Sequence, residues 1–301
     1  MSSFAFLGAI ETGLLFGLVA LGVFLSFRVL EFPDLTVDGS FPLGAAVSAS
    51  LIVSGVNPYL ATLAAIGAGA LAGLMTAWLN VRLKILHLLA SILTMIALYS
   101  INLRIMGRPN IALLGDDTVF TVLQNLPIAM HIATPIVLAV VVLVVKIALD
   151  FFLSSQLGLA MRATGINDRM ARAQGVNTKF HILLGMAISN ALVALAGALF
   201  AQSQGFADVT LGVGVIVVGL AAVIGGEAIV PPRTVFLATL GCVIGSILYR
   251  LAMALALNAD FIGLKTQDLN LITAVLVTLA MVLPGMRNPL RPRRAKGPPH
   301  D

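Results

Sequence analysis

Two short stretches gather most of the polar side chains that interrupt the long apolar runs of this sequence. Phe32–Pro42 reads Phe-Pro-Asp-Leu-Thr-Val-Asp-Gly-Ser-Phe-Pro, and Gln202–Gly212 reads Gln-Ser-Gln-Gly-Phe-Ala-Asp-Val-Thr-Leu-Gly. Each holds an Asp-aliphatic-Thr-aliphatic core followed by a helix rich in small residues. Carboxylates, hydroxyls and amides among apolar neighbours can hydrogen-bond a small polar solute, and ionisable groups at membrane depth are functional hypotheses by default. Asp34, Thr36 and Asp38 in the first stretch are therefore candidate pathway residues, with Gln202, Gln204, Asp208 and Thr210 in the second. The plainer reading makes both stretches interfacial loops whose Asp and Thr cap helices. Catalysis is disfavoured, because no Gly-x-Ser-x-Gly elbow, His-Glu-x-x-His pair or paired-carboxylate constellation exists. His87, His131 and His181 lie at the ends of apolar runs without ligand spacing, so no metal is expected. Cys242 is the only cysteine, which excludes a disulfide framework; it reads as a buried bystander.

A third polar stretch, Ser154–Phe180, is the longest between apolar runs, and its core is Arg162-Ala-Thr-Gly-Ile-Asn-Asp-Arg-Met-Ala-Arg-Ala-Gln-Gly-Val-Asn177. Asn167 suits an N-cap, Asp168 suits the first helical turn, and Gly175 suits a left-handed C-cap. The expectation is a helix of about two turns, tied on both sides to membrane spans. A soluble partner could push on such a lever.

The elements that carry these stretches follow from composition. Charged residues make up 10% of the 301, against about 25% in an ordinary soluble domain. Apolar residues make up 59%, and mean hydropathy is +1.04. Lipid must solvate much of this surface, and a span takes about 20 mostly apolar residues. Charges and turn residues divide the chain into nine expected spans, at about 4–29, 41–56, 59–81, 86–107, 131–153, 181–202, 211–226, 234–257 and 269–286. Phe41–Val81 contains no charged residue and is long enough for two spans, with Asn57-Pro58 as the turn between them. Glycines such as Gly67, Gly69 and Gly73, and the pair Gly241 and Gly245, allow close helix packing. The expected fold is all-α and polytopic: a transmembrane domain over 1–286 and a basic tail over 287–301. The first apolar run lacks a basic n-region and a cleavage site, and reads as a retained span.

With the C-terminus inside, 14 of the 18 Lys and Arg residues fall on inner segments and four on outer ones, which predicts N-outside, C-inside. The positive charge is thus explained by lipid contact rather than by nucleic acid. Arg104, Arg250 and Lys146 are expected to snorkel to the nearer surface, and Asn190 to bond between helices. One broken stretch follows the first span and the other the sixth. The odd offset of five puts them in opposite orientations, as in the inverted halves of transporters.

The segment Ala163-Thr164-Gly165-x-Asn167-Asp168-x-x-Ala171-Arg172-x-x-Gly175-Val176 resembles the cytoplasmic coupling segment of ribose-type and branched-chain-amino-acid-type ABC permeases. Leu195–Leu199, the Gly-Gly-ended run Gly219–Gly226 and Asp34-Leu-Thr-Val extend the resemblance over nearly the whole chain. Leu89–Asn102 has the flavour of permeases paired with lipoproteins that bind aromatic or hydrophobic amino acids. The resemblance implies a type II importer of the bacterial inner membrane: two permease subunits, two cytoplasmic ATPases and an extracytoplasmic binding protein. Gly165, Asn167, Asp168, Arg169, Ala171, Arg172 and Gly175 would then contact or shape the ATPase docking element. No phosphate-binding Gly-x-x-x-x-Gly-Lys-Ser/Thr loop occurs, so ATP hydrolysis is expected in another chain, and no cofactor is expected here. The rival reading is an ion-coupled secondary transporter, which also uses inverted halves but needs no docking helix.

Overall fold

A computed structural model describes residues 3–121 and 130–257, with the isolated positions 275 and 278. Ten α-helices are described: α1 (Ser3–Val23), α2 (Val37–Val53), α3 (Pro58–Leu83), α4 (His87–Met106), α5 (Met130–Ser154), α6 (Gln156–Ile166), α7 (Asp168–Ala173), α8 (Thr178–Gln204), α9 (Val215–Ile229) and α10 (Val235–Leu257). Two three-residue strands, β1 (Asn110–Ala112) and β2 (Phe206–Asp208), pair antiparallel with Asn110 opposite Asp208. Seven of the described stretches are long and apolar enough to cross a bilayer, and α2 is a shorter apolar helix. The ninth expected span, 269–286, and the tail, 287–301, lie outside the described residues.

The expected boundaries hold best where capping chemistry is local. Asn57 accepts a hydrogen bond from the Tyr59 amide at 2.9 Å and Pro58 opens α3, so the Asn-Pro turn is where the sequence put it. Asn177 caps α8 in the same way, which starts that helix three residues before the expected 181. Two features were not expected. Helix α1 runs on as a π-helical turn, Phe24–Val29, closed by Leu30 N–H to Leu25 O at 3.1 Å and ended by Glu31 at φ +52°. Helix α6 occupies the first half of the polar stretch, ahead of the short helix expected there.

Helix α8 lies at the centre of the bundle, against α1, α2 and α3. Small residues permit this. A Cβ at Gly73 would stand 2.1 Å from the Met186 carbonyl oxygen, so α3 and α8 touch backbone to backbone. Gly245 plays the same part between α10 and α9, 2.1 Å from the Ala222 oxygen, whereas Gly67 faces open space.

Two basic residues depart from expectation. Lys146 does not snorkel: its side chain is 3% exposed, paired with Asp150 at 2.6 Å and lying 3.1 Å from the Phe236 ring centroid. Thr239 donates to the other Asp150 oxygen at 2.6 Å. A carboxylate one turn on, plus a ring and a hydroxyl from α10, offset the desolvation that snorkelling would avoid. Arg250 turns inward, its guanidinium 3.8 Å from the centre of the Phe16 ring. Helical side chains lean towards their own N-terminus, and α1 packs on that face of α10. Cys242 is fully buried, as expected.

Candidate functional site

Both broken stretches are interruptions in the structure, and the shared Asp-x-Thr folds the same way twice. The Thr36 amide donates to Asp34 Oδ1 at 2.9 Å, and the Thr210 amide donates to Asp208 Oδ1 at 2.7 Å. Each Asp thereby satisfies an N–H that the start of a helix leaves without a helical partner. After Asp34 comes α2; after Asp208 come a 3₁₀ turn, Val209–Gly212, and then α9.

The environments differ. Asp34 is fully buried, and its second oxygen accepts from Asn190 Nδ2 at 2.8 Å. Asn190 Oδ1 in turn accepts from Ser40 at 2.7 Å, so one amide ties the break, α2 and α8 together. Thr36, also fully buried, pairs with Thr76 of α3 at 2.7 Å. Gln202 is buried with every polar atom in use: it accepts from the Val119 amide and donates to Ser48 and Thr62, all within 3.0 Å. These three residues lie inside the protein wall. Asp208 is partly exposed, bonded to the Thr210 hydroxyl at 2.5 Å and Asn110 at 3.2 Å. The Thr210 hydroxyl, ahead of the Thr210 amide and Asn110, holds the Asp208 carboxyl below its ordinary range. Thr210 and Gln204 are exposed, and Gln204 reaches Glu11 at 3.5 Å.

Asp38 joins α2 to the start of α9, a role that the sequence pattern does not reveal. It sits in the first turn of α2, and its carboxylate accepts the Ile216 amide at 2.8 Å and the Gly214 amide at 3.3 Å, both from the start of α9. The N-termini of two helices thus converge on one carboxylate, which both dipoles favour. With 17 and 15 residues, α2 and α9 are about 25 and 22 Å long at ~1.5 Å per residue, short of a hydrocarbon core of about 30 Å. Interrupted helices that meet at their N-termini are an arrangement that places a binding region within the bilayer. Gly212 permits the contact: a Cβ there would stand 1.8 Å from the Asp38 carbonyl oxygen.

A cleft of about 410 Å³ opens beside this junction. Asp38, Thr210, Tyr99, Ser100 and Asn102 supply its polar groups, and its size falls within the ~300–1,000 Å³ of ordinary ligand pockets. Asn102 donates to Gly39 O at 3.3 Å, and its own oxygen, fully buried, has no hydrogen-bond donor among the described residues. Asn102 and Tyr99 fall in the stretch Leu89–Asn102, which the sequence marks by resemblance but not as a source of pathway residues.

The polar stretch 154–180 is a helical hairpin. Asn167 caps α7 through the Met170 amide at 3.0 Å, Asp168 occupies the first turn, and Gly175 takes φ +82° after the helix. Ala171 is buried beneath it. Arg172 is engaged within the hairpin, ion-paired to Asp168 and donating to Thr178 at 2.9 Å. Arg169 is exposed, and so is Met170 beside it. Gly165 lets α6 rest on the end of the π-helical turn, since a Cβ there would stand 2.0 Å from Val29 O. Among the described residues no group of His, Cys, Asp and Glu could hold a metal ion. His181 instead bonds Asn177 O through Nδ1, at 2.8 Å.

Two helices meeting at their N-termini beside a largely apolar cleft that carries a few polar groups, set in a bundle of apolar spans, fit a membrane permease. The chain belongs to the family described as branched-chain amino acid transport system permease component, which matches residues 6–283. It is a permease of the type II ABC importer class and a multi-pass protein of the bacterial inner membrane, which sets aside the ion-coupled alternative. It is 38% identical over 284 residues to the tyrosine transport system permease protein of Clostridioides difficile (strain R20291), covering 94% of this chain and 92% of that relative. It is 29% identical over 178 residues to the galactofuranose transporter permease protein YtfT of Escherichia coli (strain K12), covering 58% of this chain and 50% of that one. Among solved structures, PsaBC from Streptococcus pneumoniae in complex with Fab shares the fold, with a TM-score of 0.52, 15% identity and 96% of each chain covered.

Proposed function

We propose that this permease imports an amino acid, with an aromatic one as the leading candidate, through the cleft beside Asp38. The observation that carries the pathway is the Asp38 carboxylate bridging the starts of α2 and α9 in the cleft wall. The substrate class rests on the similarity to a tyrosine permease over almost the full length of both chains. In this reading Asp38 and Thr210 face the solute, and Gln204 and Asp208 flank its approach. Asp34, Thr36 and Gln202 shape the cleft from within the wall. The chain crosses the membrane nine times with its N-terminus outside, in two inverted halves, and pairs with a second, identical copy. An extracytoplasmic protein delivers the solute, and two separate ATPase subunits dock on the hairpin 154–180. In that docking Arg169 and Met170 make the contact, while Gly165, Asn167, Asp168, Ala171, Arg172 and Gly175 build the element.

The test is uptake in vesicles that hold the permease, its ATPase and its binding protein. Uptake should follow ATP and ignore a protonophore. Reversing Arg169 and Arg172 together to Glu should leave insertion intact and abolish co-purification of the ATPase, or solute-stimulated hydrolysis. Arg169→Glu alone tests the contact face without opening the Arg172–Asp168 pair. Uptake by the double variant at the wild-type rate would remove the hairpin from the mechanism.

A further inference from the structure

A second cavity, of about 440 Å³, lies where the ends of four spans meet beside α6. Its walls include Arg28 and Val29 at the end of the first span, Leu153 at the end of α5, Glu227 near the end of α9, and Arg233 and Val235 at the start of α10. Arg162 and Ile166 of α6 close one side. Every contributing span ends or begins at this level, so the cavity sits at headgroup depth on the side that carries the hairpin.

Its charge is unbalanced. Arg28 grips Glu227 with two parallel hydrogen bonds, one of them Nε to Oε1 at 2.8 Å, so that carboxylate is already neutralised. Arg162 and Arg233 have neither an ion pair nor a side-chain hydrogen bond among the described residues, although both line the same space. Two unpaired guanidinium groups present donors in the planar fork that fits a phosphate. The remaining lining, Phe24, Val29, Leu153, Ile166, Val235 and Ala238, is apolar. A pocket that combines free phosphate donors with apolar lining, among the ends of spans, matches a molecule that carries a phosphate on hydrocarbon chains.

We propose that this cavity is a headgroup site for an anionic phospholipid, with Arg162 and Arg233 holding the phosphate. Basic pockets between spans on the cytoplasmic side bind such headgroups by the same electrostatics. The site joins α6 to the α9–α10 turn, and α6 carries Gly165 against Val29. A bound lipid therefore braces the docking hairpin against the spans.

The test uses the whole importer, permease with its ATPase, in nanodiscs of phosphatidylethanolamine containing a minor fraction of phosphatidylglycerol. Lipid retained on release is counted by native mass spectrometry. The wild type should retain phosphatidylglycerol about thirtyfold above its share of the bilayer, a preference the size of two neutralised basic contacts. Arg162→Gln/Arg233→Gln should lose that enrichment, while Arg162→Lys/Arg233→Lys should keep part of it. Arg82→Gln/Lys84→Gln, which removes two charges away from the pocket, should retain the wild-type value. Arg233 lies in the exposed turn before α10, so Arg233→Gln alone gives a partial loss in a variant that folds. No enrichment in the wild type, or equal enrichment in the Gln double variant, overturns the proposal. Displacement of the lipid by millimolar inorganic phosphate or glycerol phosphate assigns the site to a soluble anion and overturns the lipid source. Loss of ATPase from the Gln double variant, with lipid retention unchanged, assigns the arginines to the protein partner and overturns it too.

Discussion

Replacing Asp38 isolates the contact between the two half-helices. The carboxylate accepts two amide protons from the start of α9, at 2.8 and 3.3 Å, and lies in the first turn of α2. Hydrogen bonds to a charged group contribute about 1.5–3 kcal/mol each, and a negative charge at a helix N-terminus adds about 0.3–1 kcal/mol, more where it is partly buried. Asp38→Asn keeps one acceptor oxygen and loses the charge and one bond, so a loss of about 2 kcal/mol is expected. Asp38→Ala removes both bonds and leaves two amides facing the cleft, for about 4 kcal/mol in all. At ~1.4 kcal/mol per factor of ten, the head-to-head arrangement falls by about thirtyfold in the first variant and a thousandfold in the second. Uptake in vesicles with ATPase and binding protein should decline in the order wild type, Asn, Ala. Membrane insertion and ATPase co-purification should survive, because α8 and its contacts are untouched. If Asp38→Ala transports within twofold of the wild type, the carboxylate does not hold the halves in their working arrangement.

Two further outcomes bear on the frame around the site. Lys146→Met strands Asp150 in a largely buried position and should lower stability by about 3 kcal/mol, whereas Lys146→Met/Asp150→Leu should recover most of it; melting of the detergent-solubilised protein reads this, and equal losses in both variants would exclude a paired role. A reporter fused after Arg294 should be cytoplasmic and one placed at Gly115–Thr118 extracytoplasmic; finding both on one side would discard the nine-span, N-outside topology.

Local chemistry was legible in the sequence, and contacts between distant segments were not. The Asn57-Pro58 turn, the Asn167 cap and the left-handed Gly175 each depend on residues within four positions of one another, and each is where the sequence placed it; the local turns at Asp34 and Asp208 follow the plainer of the two readings, in which those residues cap. The tie between Asp38 and Ile216 spans 178 positions and arises only once α2 and α9 meet end to end. Lys146 looked like a snorkelling residue because its partners Phe236 and Thr239 lie on a helix about 90 positions away. Helix α6 was missed for another reason. Its polar residues Arg162 and Thr164 and its flanking serines resemble loop composition, and what makes it a helix is the packing of Gly158, Met161 and Thr164 beneath it.

The repeated Asp-x-Thr element also shows how one local motif yields two mechanical properties. At Asp34 the turn is locked. Releasing Asp34 would deprive its carboxylate, the Thr36 N–H and the Asn190 side-chain N–H of these bonds in a fully buried position, where each unsatisfied group costs about 1–3 kcal/mol. At Asp208 the same turn lies at the surface, and water can replace the Asn110 bond or the Thr210 hydroxyl for a net change of only about 1 kcal/mol apiece. A pair of interrupted stretches built this way is stiff on one side of the cleft and yielding on the other. Asp38 belongs to the stiff side and grips the yielding one through two backbone amides. The break after α1, where Gly165 rests on Val29, is thus tied to α9 at two places, by the Asp38 carboxylate at the start of α9 and by the Arg28–Glu227 pair near its end.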